Sequence, residues 1–341
     1  MDRNYYLGLA EAGLRMPIGT HLVLHEDPDH AAIELDGERL GAVVAKAAAR
    51  FNTPLAVPLM DLKLEKEALL AARGIPRAEI DSYHFSELPA GTPEFAPTPR
   101  MRATCDAIRT VAKQPGLVPL GMGIGPFSLM TKLISDPITP VFLAGTGLTA
   151  AEDPEVALVE RALELGTELI LQYFSAQIDA GAKGIIVCEP AANLVYFSPN
   201  QLANSYEVFD RYVTEPMRRI RALFQERDVD LVFHDCGELT TGMVERFATL
   251  DAAMISFGCS RVLWEDAALI PKTTVLFGNL PTKSFPAAQL TVAEVERLAR
   301  ELLEKMRATG HPFILGSECD VLSVPGSEQA IMAKVEAFMK C

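Results

Sequence analysis

The chain has 341 residues, 49% of them hydrophobic and 22% charged, and a formal net charge of -14. A chain of this length and apolar content can bury a large core, as one big α/β domain or two smaller ones, while its acidity argues against nucleic acid as a partner, because phosphate binding needs clustered Lys and Arg. No run of about 18 uncharged apolar residues occurs and no basic-then-apolar leader opens the sequence. The six cysteines lack the regular spacing of a disulfide framework, so the expectation is a cytoplasmic protein with no membrane partner.

In chain order, the first apolar run, 21–25, predicts a strand, and 37–51 follows with helical periodicity. A second strand, 55–60, ends at Met60 and Asp61 and leads into a helix over 62–73. Segment 76–100 carries prolines at 76, 89, 93, 97 and 99 and reads as a Pro-rich excursion, of the kind that forms a lid or binding loop. After a helix over 101–113, the third strand, 118–123, runs into Gly121-Met-Gly-Ile-Gly-Pro126. That segment fails the G-x-G-x-x-G pattern of nucleotide sites because proline stands at the third glycine position.

A long helix over 154–181 precedes the fourth strand, 184–188, which Glu189 closes; a helix over 200–227 precedes the fifth, 231–236. The remaining elements are a helix over 239–249, strands at 253–258 and 275–280, a helix over 289–308, a strand at 313–319 and a helix over 326–340. Thr291-Val-Ala-Glu294 is a capping box, and Gly310 with Pro312 ends the helix it starts. Eight near-continuous apolar strands alternating with helices predict a parallel sheet covered by helices, and eight units in this length predict a single (β/α)8 barrel domain over 1–341. The alternative is a doubly wound sheet, with its ligand at a strand-order reversal.

The chemistry concentrates at strand ends. Strand side chains alternate faces, so His234 and Cys236 aim imidazole and thiol at one point, and Cys319 also closes an apolar run. Zinc best suits a Cys/Cys/His set, and three protein ligands leave a coordination position open, as in catalytic zinc sites. A barrel would gather these residues onto one face together with Asp61, Glu189, Asn279 and Glu318. Asp61 and Glu189 suit general acid/base roles, and Glu189 suits a labile fourth zinc ligand; both equally suit a helix N-cap or first turn. Met60, Met122, Phe127, Tyr196 and Phe197 are candidates for the wall of an apolar substrate pocket, although Met and aromatic positions are more often plain core. No G-x-S-x-G occurs, which disfavours serine hydrolysis.

Several segments carry a family resemblance: Gly125-Pro-Phe-Ser-Leu-Met130, Gly181-Ala-Lys-Gly-Ile-Ile-Val-Cys-Glu-Pro190 with Phe197-Ser-Pro199, His234-Asp-Cys-Gly237, Phe277-Gly-Asn-Leu280 and Leu315-Gly-Ser-Glu-Cys-Asp320. Together they resemble the uroporphyrinogen decarboxylase superfamily and, within it, the zinc-dependent corrinoid methyltransferases. The resemblance implies a (β/α)8 barrel and a zinc held by His234, Cys236 and Cys319. Decarboxylation of uroporphyrinogen is disfavoured, because the arginine-bearing motif associated with it has no counterpart in residues 1–30, which hold only Arg3 and Arg15.

The N-terminal third, from Met16-Pro-Ile-Gly-Thr-His21 through Thr53-Pro-Leu-Ala-Val-Pro-Leu-Met-Asp61, is similar to the first methyltransferase component of aryl methyl ether O-demethylases. That implies transfer of a methyl group from a methoxylated aromatic to the Co(I) of a corrinoid carried by a partner protein. A methylcobamide:thiol methyltransferase is the alternative, since two thiolates and a neutral His make an electron-rich zinc suited to a substrate thiolate. A non-catalytic corrinoid or metal carrier is a third reading, although no D-x-H-x-x-G sequence occurs. A homo-oligomer is compatible with the sequence.

Overall fold

The computed structural model describes residues 3–91 and 95–341. Eight parallel strands form one curled sheet: β1 (Arg15–Ile18), β2 (Leu55–Ala56), β3 (Val118–Ile124), β4 (Gly184–Cys188), β5 (Asp230–Asp235), β6 (Met254–Phe257), β7 (Val275–Leu280) and β8 (Phe313–Asp320). They follow the order β1-β8-β7-β6-β5-β4-β3-β2, every pair parallel, with helices outside. This is the expected (β/α)8 barrel. The seam between β1 and β2 is tied by side chains: Thr20 Oγ1 donates to Val57 O at 2.5 Å, and Thr53 Oγ1 lies 3.4 Å from Met16 Sδ.

The strands read as continuous apolar runs because both of their faces are buried. One set of alternating positions, including Met16, Leu120, Met122, Ile186, Val232, Met254, Phe277 and Ile314, fills the barrel interior. The other, including Ile185, Val187, Leu231, Phe233, Ile255, Leu276 and Leu315, packs outward against the helices. Helix starts follow local chemistry: Asp36, Thr98, Asp153, Thr240 and Thr291 each accept a backbone N–H of the helix they precede.

The first strand departs from expectation. The run 21–25 lies mostly in a short helix, Thr20–Leu24, and β1 is Arg15–Ile18. A five-residue apolar run does not distinguish strand from helix by periodicity, and Pro17 disguised the true strand. Proline cannot donate to a ladder, and it is tolerated here because β1 ends the hydrogen-bonded order and its register with β8 shifts between Met16 and Ile18. The expected helix over 200–227 is broken into Pro199–Leu202, Glu207–Phe209, a π-turn at Asp210–Thr214, and Glu215–Glu226. Pro216 lacks the N–H that would continue a regular helix, and the π-turn lies just before it.

The Pro-rich excursion is tied down across its described part. Arg73 and Arg161 donate to the carbonyls of Pro89, Ala90 and Gly91, Phe85 N donates to Leu133 O, and Ile80 and Phe85 are buried. Residues 92–94, within that excursion, lie outside the described residues. No described helix is long and apolar enough to cross a membrane.

Candidate metal centre

β5 carries Val232 and His234 on the interior face, and its register places His234 beside Cys188 of β4 and Ser256 of β6. The imidazole is 1% exposed, with Nδ1 3.1 Å from Ser256 Oγ and a buried Nε2 that has no hydrogen-bond partner. Such an orphaned buried nitrogen is rare in a folded protein. With Nδ1–H donated to the serine, Nε2 presents a lone pair, the tautomer a metal requires. Cys236, two residues on, returns to the same side, and the ligand atoms of His234, Cys236 and Cys319 all lie within 4.8 Å of one another.

Cys319 reaches this cluster against the strand alternation. Ile314 points into the barrel and Leu315 outward, so counting by two would send Cys319 out. The β1–β8 pairing advances from Met16↔Gly316 to Ile18↔Asp320, two residues on one strand against four on the other. Cys319 falls inside that irregular stretch, where side chains no longer alternate regularly. Cys319 Sγ also lies 3.8 Å from Met60 Sδ in the segment that follows β2, so Met60 walls the cluster directly.

The neighbouring Cys319, and after it His234, outweigh burial and hold the Cys236 thiol below its ordinary value. Cys319, beside Cys236 and buried, is pushed up. Desolvation works against the Lys283 ammonium, but the neighbouring Cys236 and Cys319 sulfurs and Glu318 raise it above its ordinary value. Glu318 is 3% exposed and ties two loops to the site, its carboxylate accepting from Cys259 N at 3.0 Å and Lys283 N at 3.3 Å. One imidazole and two sulfurs brought this close are a donor set that fits a soft cation.

The other candidates fall into two groups. Glu189 is fully buried at the N-terminus of the helix Pro126–Leu133, accepting from Phe127 N at 3.0 Å and Ser128 N at 2.8 Å. It does not join the three clustered ligand atoms. Burial pushes its carboxyl up to about 7 although the Ser128 and Phe127 donors pull the other way. Asp61 is ion-paired with Arg100 at 2.7 Å, and Arg100 pairs with Glu34 at the same distance. Met122 sits in the barrel interior, its backbone N and O bonded to the Gln177 side chain. Phe127 packs against Phe197 at 4.8 Å and Tyr196 at 5.9 Å; Phe127 and Phe197 are buried, and Tyr196 is half-exposed. Asn279 Nδ2 donates to Gly258 O and Arg261 O, both at 2.9 Å, and so fixes the loop after β6.

The family of uroporphyrinogen decarboxylase (URO-D) matches residues 76–340, more than half of the chain. The chain belongs to this family. Among solved structures it is similar to a methyltransferase from Methanosarcina mazei, at 17% identity, with 99% of this chain and 98% of that one covered and a TM-score of 0.67. Two weaker likenesses carry no argument: apo 3-keto-D-glucoside 4-epimerase from E. coli (13% identity, 71% and 86% covered, TM-score 0.42) and tryptophan synthase from M. tuberculosis (10%, 70% and 97%, 0.26). No curated protein matches significantly.

Two site residues of this URO-D family member escape sequence reasoning. Ser256 is visible only once β5 and β6 are in register, and Lys283 only once the loop after β7 folds over Cys236. A weak signal existed, since both lie at or just past strand ends, where a barrel collects its functional groups. Gly258 follows the same logic. A Cβ there would stand 2.8 Å from Cys236 O and 3.0 Å from Cys236 Cα, so Gly258→Ala must move the ligand's own backbone. The expected outcome is a metal affinity lowered by about tenfold or more with the fold intact, checked by competition against a chromogenic chelator. Unchanged affinity would show that Cys236 has slack.

Proposed function

We propose that this chain is a zinc-dependent methyltransferase that moves a methyl group from a methoxylated aromatic to the Co(I) of a corrinoid on a separate partner protein. The observation that carries this reading is the convergence of an orphaned His234 Nε2 with the Cys236 and Cys319 sulfurs at the mouth of a URO-D barrel. Zn2+ held there supplies Lewis acidity to the ether oxygen of the leaving phenolate.

The chain's own residues do the rest. Ser256 orients the imidazole, Lys283 places a positive charge beside the sulfurs where negative charge accumulates, and Met60 offers a soft apolar wall to a flat ring. Glu189 anchors the start of the helix Pro126–Leu133, which holds Phe127 in place. Asp61, steadied by Arg100, is a candidate acid/base group at the rim. Uroporphyrinogen decarboxylation finds no support in the arginines: Arg3 pairs with Asp251 ahead of β6, and Arg15 opens β1, so both occupy the end of the barrel away from the cluster.

The donor set favours a second reading specifically. Two sulfurs and a neutral imidazole cancel the charge of a divalent cation, which suits a thiol substrate, and thiol methylation from a methylated corrinoid is that alternative. A single assay separates the two. With a Co(I) corrinoid protein and a methoxylated aromatic, the expected result is breakage of the CH3–O bond, formation of the CH3–Co bond with both electrons from Co(I), and release of the phenol, followed in the corrinoid spectrum. Loss of methyl from methylcobalamin to a thiol, with no methoxyarene ever methylating Co(I), would replace the aromatic reading with the thiol one.

A further inference from the structure

The barrel end opposite the metal centre holds a cavity. It measures about 620 Å3 and lies where the start of β1 and β8 meets the helices Asn4–Glu11 and Val292–Thr309; that size is within the range of small-molecule sites. β8 begins at this cavity with Phe313 and ends at the cluster with Cys319, so the two sites stand about 20 Å apart along one strand.

Its lining is amphipathic in a specific way. Arg15, Lys272 and Arg307 contribute positive charge, and Glu11 is the one carboxylate. In a chain with 45 acidic and 31 basic residues, the other arginines of the same helix take acidic partners: Arg297 pairs with Glu294 and Glu301, and Arg300 with Glu296. Among the described residues Lys272 and Arg307 have no such partner. Arg15 donates through Nη2 to Cys341 O at 2.7 Å but keeps a buried Nε with no acceptor. His311, buried and bonded through Nε2 to Thr274 O at 2.9 Å, is lowered by burial and adds a polar ring without charge. Leu7, Leu14, Leu303, Met306 and Phe313 supply an apolar wall.

We propose that this cavity binds a small amphiphilic anion, a carboxylate or phosphate group on an apolar body, with the head group toward Arg15, Lys272 and Arg307 and the body against Leu303, Met306 and Phe313. Unpaired cations beside apolar surface favour a ligand that supplies both a negative charge and hydrophobic area. The site is independent of the metal chemistry.

Calorimetric titration of the full chain with octanoate, octyl phosphate and neutral 1-octanol tests it. The expected result is one anion per chain, octanoate and octyl phosphate being ranked by their relative affinities, and no saturable binding of octanol. Raising the salt should weaken the wild-type affinity. Lys272 and Arg307 are exposed, so a Lys272→Glu/Arg307→Glu double variant should keep its melting temperature and lose about tenfold or more in affinity. No saturable binding of either anion up to about 5 mM, equal affinity for octanol, or an affinity unchanged in both the double variant and high salt would overturn the proposal.

Discussion

Replacing Cys236 or Cys319 by alanine should strip the chain of stoichiometric zinc while leaving the barrel folded. The wild type is expected to hold about one zinc per chain, because three ligand atoms already lie within 4.8 Å of one another and a preformed soft donor set loses little ordering entropy on binding. Removing one sulfur leaves a Cys/His pair, too few donors for tight zinc. Neither cysteine belongs to the packed barrel interior, which is built from residues such as Met122, Val232 and Phe277, so the circular dichroism and melting temperature should change little. His234→Ala should lose the metal as well, but it also leaves space beside Ser256, which makes the cysteine variants the cleaner test. Metal analysis by mass spectrometry reads the outcome. Stoichiometric zinc in both Cys236→Ala and Cys319→Ala would sink the assignment.

The second large effect is on stability against pH. Glu65, on the helix Leu64–Ala71 after β2, is fully buried, with Oε1 accepting from Ile124 N at 3.1 Å and Oε2 without a partner. Burial pushes its carboxyl from about 4.5 up to about 8, while the Ile124 N–H and Lys132 pull it down and Asp61 pushes it up. The native state therefore holds a proton that the unfolded chain releases. The resulting stability is fully present below pH 4.5, the ordinary value, and is lost as the pH rises through about 8. Glu189, raised to about 7 chiefly by burial, acts in the same direction. Between pH 5 and pH 8 the unfolding free energy should fall by on the order of 3 kcal/mol from Glu65 alone. Glu65→Gln, which is neutral throughout, should flatten most of that slope in urea titrations. A wild-type stability that is level or rises across this window would show that the Glu65 carboxylate is tolerated ionised.

Much of this molecule is legible in its sequence. Seven of the eight strands (although β2 spans only Leu55–Ala56 of the expected 55–60), the helix starts at Asp36, Asp153 and Thr291, and the same-side placement of His234 and Cys236 all follow from local rules: the two-residue alternation of a strand, and side-chain oxygens that cap free backbone N–H groups. Such rules act within one element. They reach as far as nominating Cys319, because a soft ligand at the end of an apolar run is conspicuous wherever the strand finally points.

What the sequence left undecided depends on how one element lies against another. Pro17 hid β1, whose place in the barrel rests on pairing with β8 alone. The bulge between Gly316 and Asp320, a property of two strands in register, turned Cys319 toward His234 and Cys236 against the alternation of its own strand. Glu189 went to the N–H groups of Phe127 and Ser128, which no local pattern around residue 189 announces. Ser256 and Lys283 became site residues through adjacency across β5, β6 and β7. By itself the sequence determined which side chains could ligate a metal and which segments would be strands. Only the tertiary structure decided which of those groups meet, because strand register and the direction of side chains within a bulge are set by contacts between segments far apart in the chain.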